Sequence, residues 1–217
     1  MIIDHNRPEY QEIWKNSSNK YNGAFFYSKE IVENIIPKVK TDRNWITVNI
    51  QGTGCDHAIV FIHNNLNPKE RYDWLKQYHD LVLVCGIEET MPKVAHLGTP
   101  IYLPLSVDVA AISQYKTEKT REGAFVGRQI KKYYDGVKLP PNLDYLENMP
   151  RQMLLAEMAK YKRIYAVGRC AIEAKVLGCE VRPYDPRFPD TNRWKVIDNS
   201  EAAEILQKKL NNIARKD

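Results

Sequence analysis

Residues 163–183 read RIYAVGRCAIEAKVLGCEVRP, and their order decides the fold class. The apolar run at 163–167 has strand character, and Gly168 breaks it. Residues 170–177 alternate small, apolar and charged side chains at helical spacing. Gly178 is a normal helix stop, and 179–183 is a second strand. Strand, helix and strand in so short a span predict a βαβ unit with its two strands parallel.

The same rhythm extends outward in both directions. Upstream lie the strand GAFVG at 123–127, the loop Pro140-Pro141-Asn142, a short strand at 143–146 and a helix over 150–161. Earlier still, GAFFY at 23–27 reads as an apolar run, with Ser28 capping a helix that continues to Pro37. WITVNI at 45–50, AIVFI at 58–62, LVLV at 81–84 and residues 100–105 read as strands. Asn67-Pro68 opens one helix and residues 88–96 form another. The polar stretch after Asp108 reads as a connector. The expectation is an α/β chain with two small Rossmann-like halves, 1–108 and 123–217, joined by 109–122. Their parallel sheets would face a cleft, and Ser200 would cap a final helix that packs on the body.

Composition narrows the function classes. With 217 residues, 43% hydrophobic, 27% charged, 10 Gly and 12 Pro, collagenous and wholly disordered chains are excluded. No apolar run approaches the ~20 residues of a membrane span, and residues 1–10 are too polar for a signal core. Cys55, Cys85, Cys170 and Cys179 form no CxxC pair, which predicts reduced thiols and a cytoplasmic protein. The net charge of +5 is a mild positive field suited to a phosphate-bearing ligand.

Two stretches carry candidate chemistry. The strand at 163–167 ends at Gly168, where the backbone can approach a phosphate, and the following helix offers free N–H groups and a positive dipole end. Arg169 stands beside that turn. Glu173, placed by spacing in the helix's first turn, would accept two hydrogen bonds from a ribose diol. Its replacement by Ala is expected to weaken nucleotide binding with little change in stability. In AFVGRQIKK at 124–132, Gly127 ends a strand, and Arg128, Lys131 and Lys132 follow within about a turn as a clamp for a diphosphate. His63 follows AIVFI, at a sheet's carboxyl edge, where a general base is expected. Cys170 reads as a small cap residue rather than a nucleophile. Asp56, His57 and His63 lack a third ligand at metal spacing, so no metal is expected. Gln51-Gly52-Thr53-Gly54 lacks a dinucleotide fingerprint.

The segments FVGR, PNLDYLENMPRQMLLAEMAKYKRIYAVG and IEAKVLGCEV resemble the C-terminal half of two-Rossmann (GT-B) glycosyltransferases. YHDLVLVCGIEETMPKVAHLGTPIYLPLSVDV resembles the end of that family's first half. The resemblance covers residues 78–210 and implies transfer of a sugar from a nucleoside-diphosphate sugar, with no further cofactor. It assigns Arg128 and Lys131 or Lys132 to the donor phosphates and Glu173 to the donor ribose. It also implies an acceptor site in residues 1–108 and a final helix that reaches back to them. Many retaining members carry a second Glu seven residues before the ribose Glu, where this chain has Ala166. The acceptor is open: a nucleic acid, a lipid-linked group or a protein. The rival readings are a nucleotide-binding protein without catalysis and a DNA-binding accessory protein.

Overall fold

The computed structural model describes residues 23–47, 56–62, 72–127, 137, 139–147 and 149–215. Among these, 23–105 together with 199–215 form one compact unit and 106–198 form another.

The first unit holds four parallel strands in chain order: β1 (Asn44–Ile46), β2 (Ala58–Ile62), β3 (Leu81–Cys85) and β4 (Thr99–Tyr102). Every residue of β2 and β3 is buried, which is why AIVFI and LVLVC are continuously apolar rather than alternating. Ala58 faces Leu81 and Ile62 faces Cys85 across that pair. Ile46, Val60, Ile62, Leu83, Tyr72, Leu75 and Val94 share one core cluster. Gly98, just before β4, lets the chain cross β3 closely: a Cβ there would stand 2.4 Å from the Leu81 carbonyl oxygen.

The GAFFY run is not a strand. Helix α1 (Gly23–Glu30) contains it and passes into a π turn (Ile31–Ile35) and a 3-10 turn (Ile36–Lys38). Ser28 therefore lies inside the helix, where its hydroxyl donates to the Thr47 carbonyl at 2.7 Å instead of capping. Aromatic β-propensity in the run yields to the apolar spacing of the segment, which buries Ile31, Val32 and Ile35. Residues 88–96 form a 3-10 turn and the short α2 (Met91–Val94).

The second unit opens with α3 (Val109–Ser113), capped by Asp108, which accepts from Ala111 N at 2.8 Å. Residues 109–122, which the sequence reads as a connector, fall within this unit, with 109–113 as α3 and 121–122 as the start of β5. Strands β5 (Arg121–Val126), β6 (Asp144–Leu146), β7 (Tyr161–Tyr165) and β8 (Glu180–Arg182) form a parallel sheet in the order β6-β5-β7-β8. Helices α4 (Arg151–Met158) and α5 (Arg169–Val176) follow β6 and β7. Lys119 joins the ends of both: its ammonium donates to Ala159 O at 2.7 Å and to Leu177 O at 2.8 Å. Two helix C-termini, each with unsatisfied carbonyls and a negative dipole end, meet one cation.

The last helix, α6 (Asn199–Ile213), clusters with the first unit. It buries Ala202, Ala203, Leu206 and Leu210. Its Gln207 side chain accepts from Lys40 N at 2.6 Å and donates to Lys40 O at 3.1 Å. Among the described residues the chain is thus α/β with two four-stranded parallel sheets, and none of their helices is long and apolar enough to cross a membrane.

Candidate anion site of the second unit

In open parallel sheets, ligands sit beyond the carboxyl ends of the strands, where neighbouring strands send their connections in opposite directions. The second sheet has such a point. Counted from β5, its order is 2-1-3-4, so β5 leads outward to β6 on one side while β7 leads to β8 on the other. The first sheet runs in sequential order and has no such reversal among its described strands.

Gly127 and Gly168 follow the two strands that flank the reversal. They serve different purposes. Gly168 has φ 61° and ψ −137°, a conformation that a side chain would strain, and it caps α5. Its carbonyl accepts from both Ala171 N and Ile172 N. Gly127 makes room for an aromatic ring: a Cβ there would lie 2.6 Å from Cζ of Phe125. That ring packs against Tyr145, centroids 5.6 Å apart, and edge-on to Tyr184 at 5.1 Å.

Glu173 differs from its sequence-based placement. It is the fifth residue of α5, beyond the first turn, and its side chain is only 1% exposed. Its Oε1 accepts from Arg151 Nη1 at 2.5 Å, and Arg169 Nε lies 3.0 Å from the same oxygen. Arg151 is the first residue of α4 and Arg169 the first residue of α5. Neither helix has an acid in its first turn or a side-chain cap. A cation there opposes the helix dipole, typically by about 0.3–1 kcal/mol. Two helices at one sheet edge break the same local rule, and local rules tend to break at functional sites. The contrast with the carboxyl end of β8 is informative. There Asp185, also buried, takes Nε and Nη2 of Arg187 on its two oxygens, one carboxylate to one guanidinium. At α4 and α5, two guanidinium groups meet one oxygen, and no hydrogen bond from a described residue reaches the buried Oε2 of Glu173.

Cys170 lies in the field of this trio. Burial, then the Glu173 carboxylate, pushes its thiol up to about 12, so it is neutral at physiological pH and is no thiolate nucleophile. Arg151 was not singled out in the sequence. The signal was there in Pro150-Arg151 opening a helix with a cation and no acid.

His63, Arg128, Lys131 and Lys132 lie outside the described residues, as does the Gln51–Gly54 loop. His57 faces two carboxylates: its Nδ1 meets Asp80 Oδ2, and its Nε2 lies 3.3 Å from Asp42. Asp80 also accepts from Arg43 Nη1, at its side chain (2.9 Å) and its carbonyl (2.8 Å). Comparison of the chain with protein-family models, with curated proteins and with solved structures found no match.

Proposed function

We propose that the chain is a short two-Rossmann (GT-B) glycosyltransferase whose second unit holds a nucleoside-diphosphate sugar. The observation that carries this reading is the meeting of two arginine-headed helix N-termini over the buried Glu173, at the reversal point of a 2-1-3-4 sheet. Such a place selects an anion bound close to the backbone. A diphosphate supplies that charge and is also a competent leaving group.

In the reaction, an acceptor hydroxyl oxygen forms a bond to the anomeric carbon of the sugar. The bond from that carbon to the diphosphate breaks, and its electron pair leaves with the nucleoside diphosphate. The hydroxyl proton passes to a base, for which His63 is the proposed group. Positive charge at the helix N-termini offsets the charge that grows on the leaving diphosphate. Arg128 with Lys131 or Lys132 is proposed to complete the phosphate contacts.

The test is release of nucleoside diphosphate from uridine and guanosine diphosphate sugars, with water or candidate acceptors present. Turnover above a blank reaction is expected. Tight binding with no turnover across the panel would instead make this a nucleotide-binding protein without catalysis.

A further inference from the structure

We propose that the groove between α6 and the 3-10 turn Ile36–Lys38 is a docking surface for the sugar–phosphate backbone of a nucleic acid, with Lys38, Lys208 and Arg215 as its phosphate contacts. Its functional meaning rests on the transferase reading above, for which it names the acceptor class.

The first observation is the groove's charge. It lies wholly within the first unit and has a volume of about 660 Å³. Lys38, Lys208 and Arg215 line it against the carboxylate of Glu204. Lys38 donates to Ser200 Oγ at 2.7 Å, whereas neither Lys208 nor Arg215 has a carboxylate or hydrogen-bond partner among the described residues. Even Glu204, one turn before Lys208, makes no ion pair with it. The second observation is the rest of the lining. Ala203 is its one apolar residue, so a lipid chain or an apolar peptide would find little to bury. Gln207, Asn211 and Asn212 add amides, side chains that join Lys and Arg in contacting phosphate and sugar oxygens. Small-molecule pockets are mostly apolar and enclose their ligand, so an open polar groove suits a polymer's backbone better. The third observation is spacing. Glu204, Lys208 and Arg215 recur at helical intervals along one side of α6, and Ala214 N still bonds Leu210 O at 3.1 Å on the path to Arg215. Lys208 and Arg215 are thus about 10 Å apart along the axis, roughly three steps of ~3.4 Å between phosphates of one strand. Gln207 holds the two walls together through both Lys40 backbone groups, so the surface is already formed.

The experiment is a salt series of fluorescence-anisotropy titrations of the full chain with labelled mixed-sequence DNA, duplex and single-stranded. Log affinity is expected to fall linearly with log salt, with a slope of about −2 to −3 for three phosphate contacts. Lys208→Gln and Arg215→Gln are expected each to weaken binding several-fold and to make the slope shallower by about 1. Glu204→Gln, which removes the opposing carboxylate, is expected to tighten binding. Lys116→Gln removes the same charge from an exposed side chain outside the groove and is expected to change affinity less than about twofold. All four side chains are exposed, so the variants are expected to fold, and a thermal transition checks each. Losses in Lys208→Gln and Arg215→Gln no larger than in Lys116→Gln would overturn the proposal. So would wild type that binds neither DNA, or that binds phosphatidylserine vesicles instead. Release of nucleoside diphosphate from a donor sugar with water alone is measured separately. DNA docking without that turnover would leave the surface standing and remove the transferase reading; turnover without docking would do the reverse.

Discussion

Glu173 shows how burial changes what a residue is expected to do. From spacing alone, Glu173→Ala leaves stability intact. With the side chain 1% exposed between two arginines, removal takes away the buried carboxylate that both guanidinium groups meet. Breaking a buried ion pair typically costs about 3–5 kcal/mol. The expected outcome is a large fall in the denaturant midpoint; an unchanged midpoint would mean that the trio is not formed. His57 makes a gentler case. Its hydrogen bond to Asp80, opposed by desolvation and helped by Asp42, raises its pKa above the ordinary 6.5. A raised folded value means that the contribution is complete below 6.5 and fades as pH climbs through the folded value. Burial pushes Asp80 up, but His57 and Arg43 outweigh it and hold its carboxyl below 3.8, so its contribution fades only as pH falls below that. The gap in melting temperature between wild type and His57→Gln should be widest between about pH 4 and pH 6.5 and narrow as pH rises further. A gap independent of pH would contradict this. His57 and Asp80 both adopt positive φ, 54° and 53°, immediately before β2 and β3. No sequence pattern announced either, because neither is Gly, although His and Asp are among the side chains that tolerate this region best.

At the scale of elements, the buried strands were the most legible. Continuous apolar runs bounded by turns placed β2 and β3 within one residue of their observed limits, since a parallel strand buried on both faces leaves little ambiguity. GAFFY misled because a five-residue apolar run has no period long enough to separate strand from helix. The polar stretch at 109–122 looked like a connector because its contribution is made by one long side chain. Lys119 carries no apolar signal, yet its ammonium closes the carbonyl ends of α4 and α5 and lies 3.3 Å from the buried Cys179 sulfur. Lys119→Met keeps much of the stem and removes the charge. It is expected to destabilise the second unit by about 1.5–3 kcal/mol, the range for hydrogen bonds to a charged group. Protection of α4 and α5 amides from hydrogen exchange should fall together. Loss confined to one helix, or to neither, would mean that Lys119 does not join them.

At the scale of the whole chain, the alternation of strands and helices gave the α/β class and parallel sheets, because that alternation leaves few other topologies. It did not give the strand order of the second sheet, which depends on which side each crossover returns. That order matters most for function, since it sets a reversal beside Gly127 and Gly168. Gly168 and Arg169 were legible as a strand-to-helix turn. The contact between Arg151 and Glu173 was not, because the two stand 22 positions apart on different helices. The central claim, a nucleotide's phosphates at the first turns of α4 and α5, is tested most directly by a crystal structure of the chain soaked with uridine or guanosine diphosphate. The account predicts phosphate oxygens within hydrogen-bonding distance of Arg151 and Arg169, beside Gly168. A diphosphate ordered elsewhere, with Arg151, Arg169 and Glu173 undisturbed and untouched by it, would contradict the account.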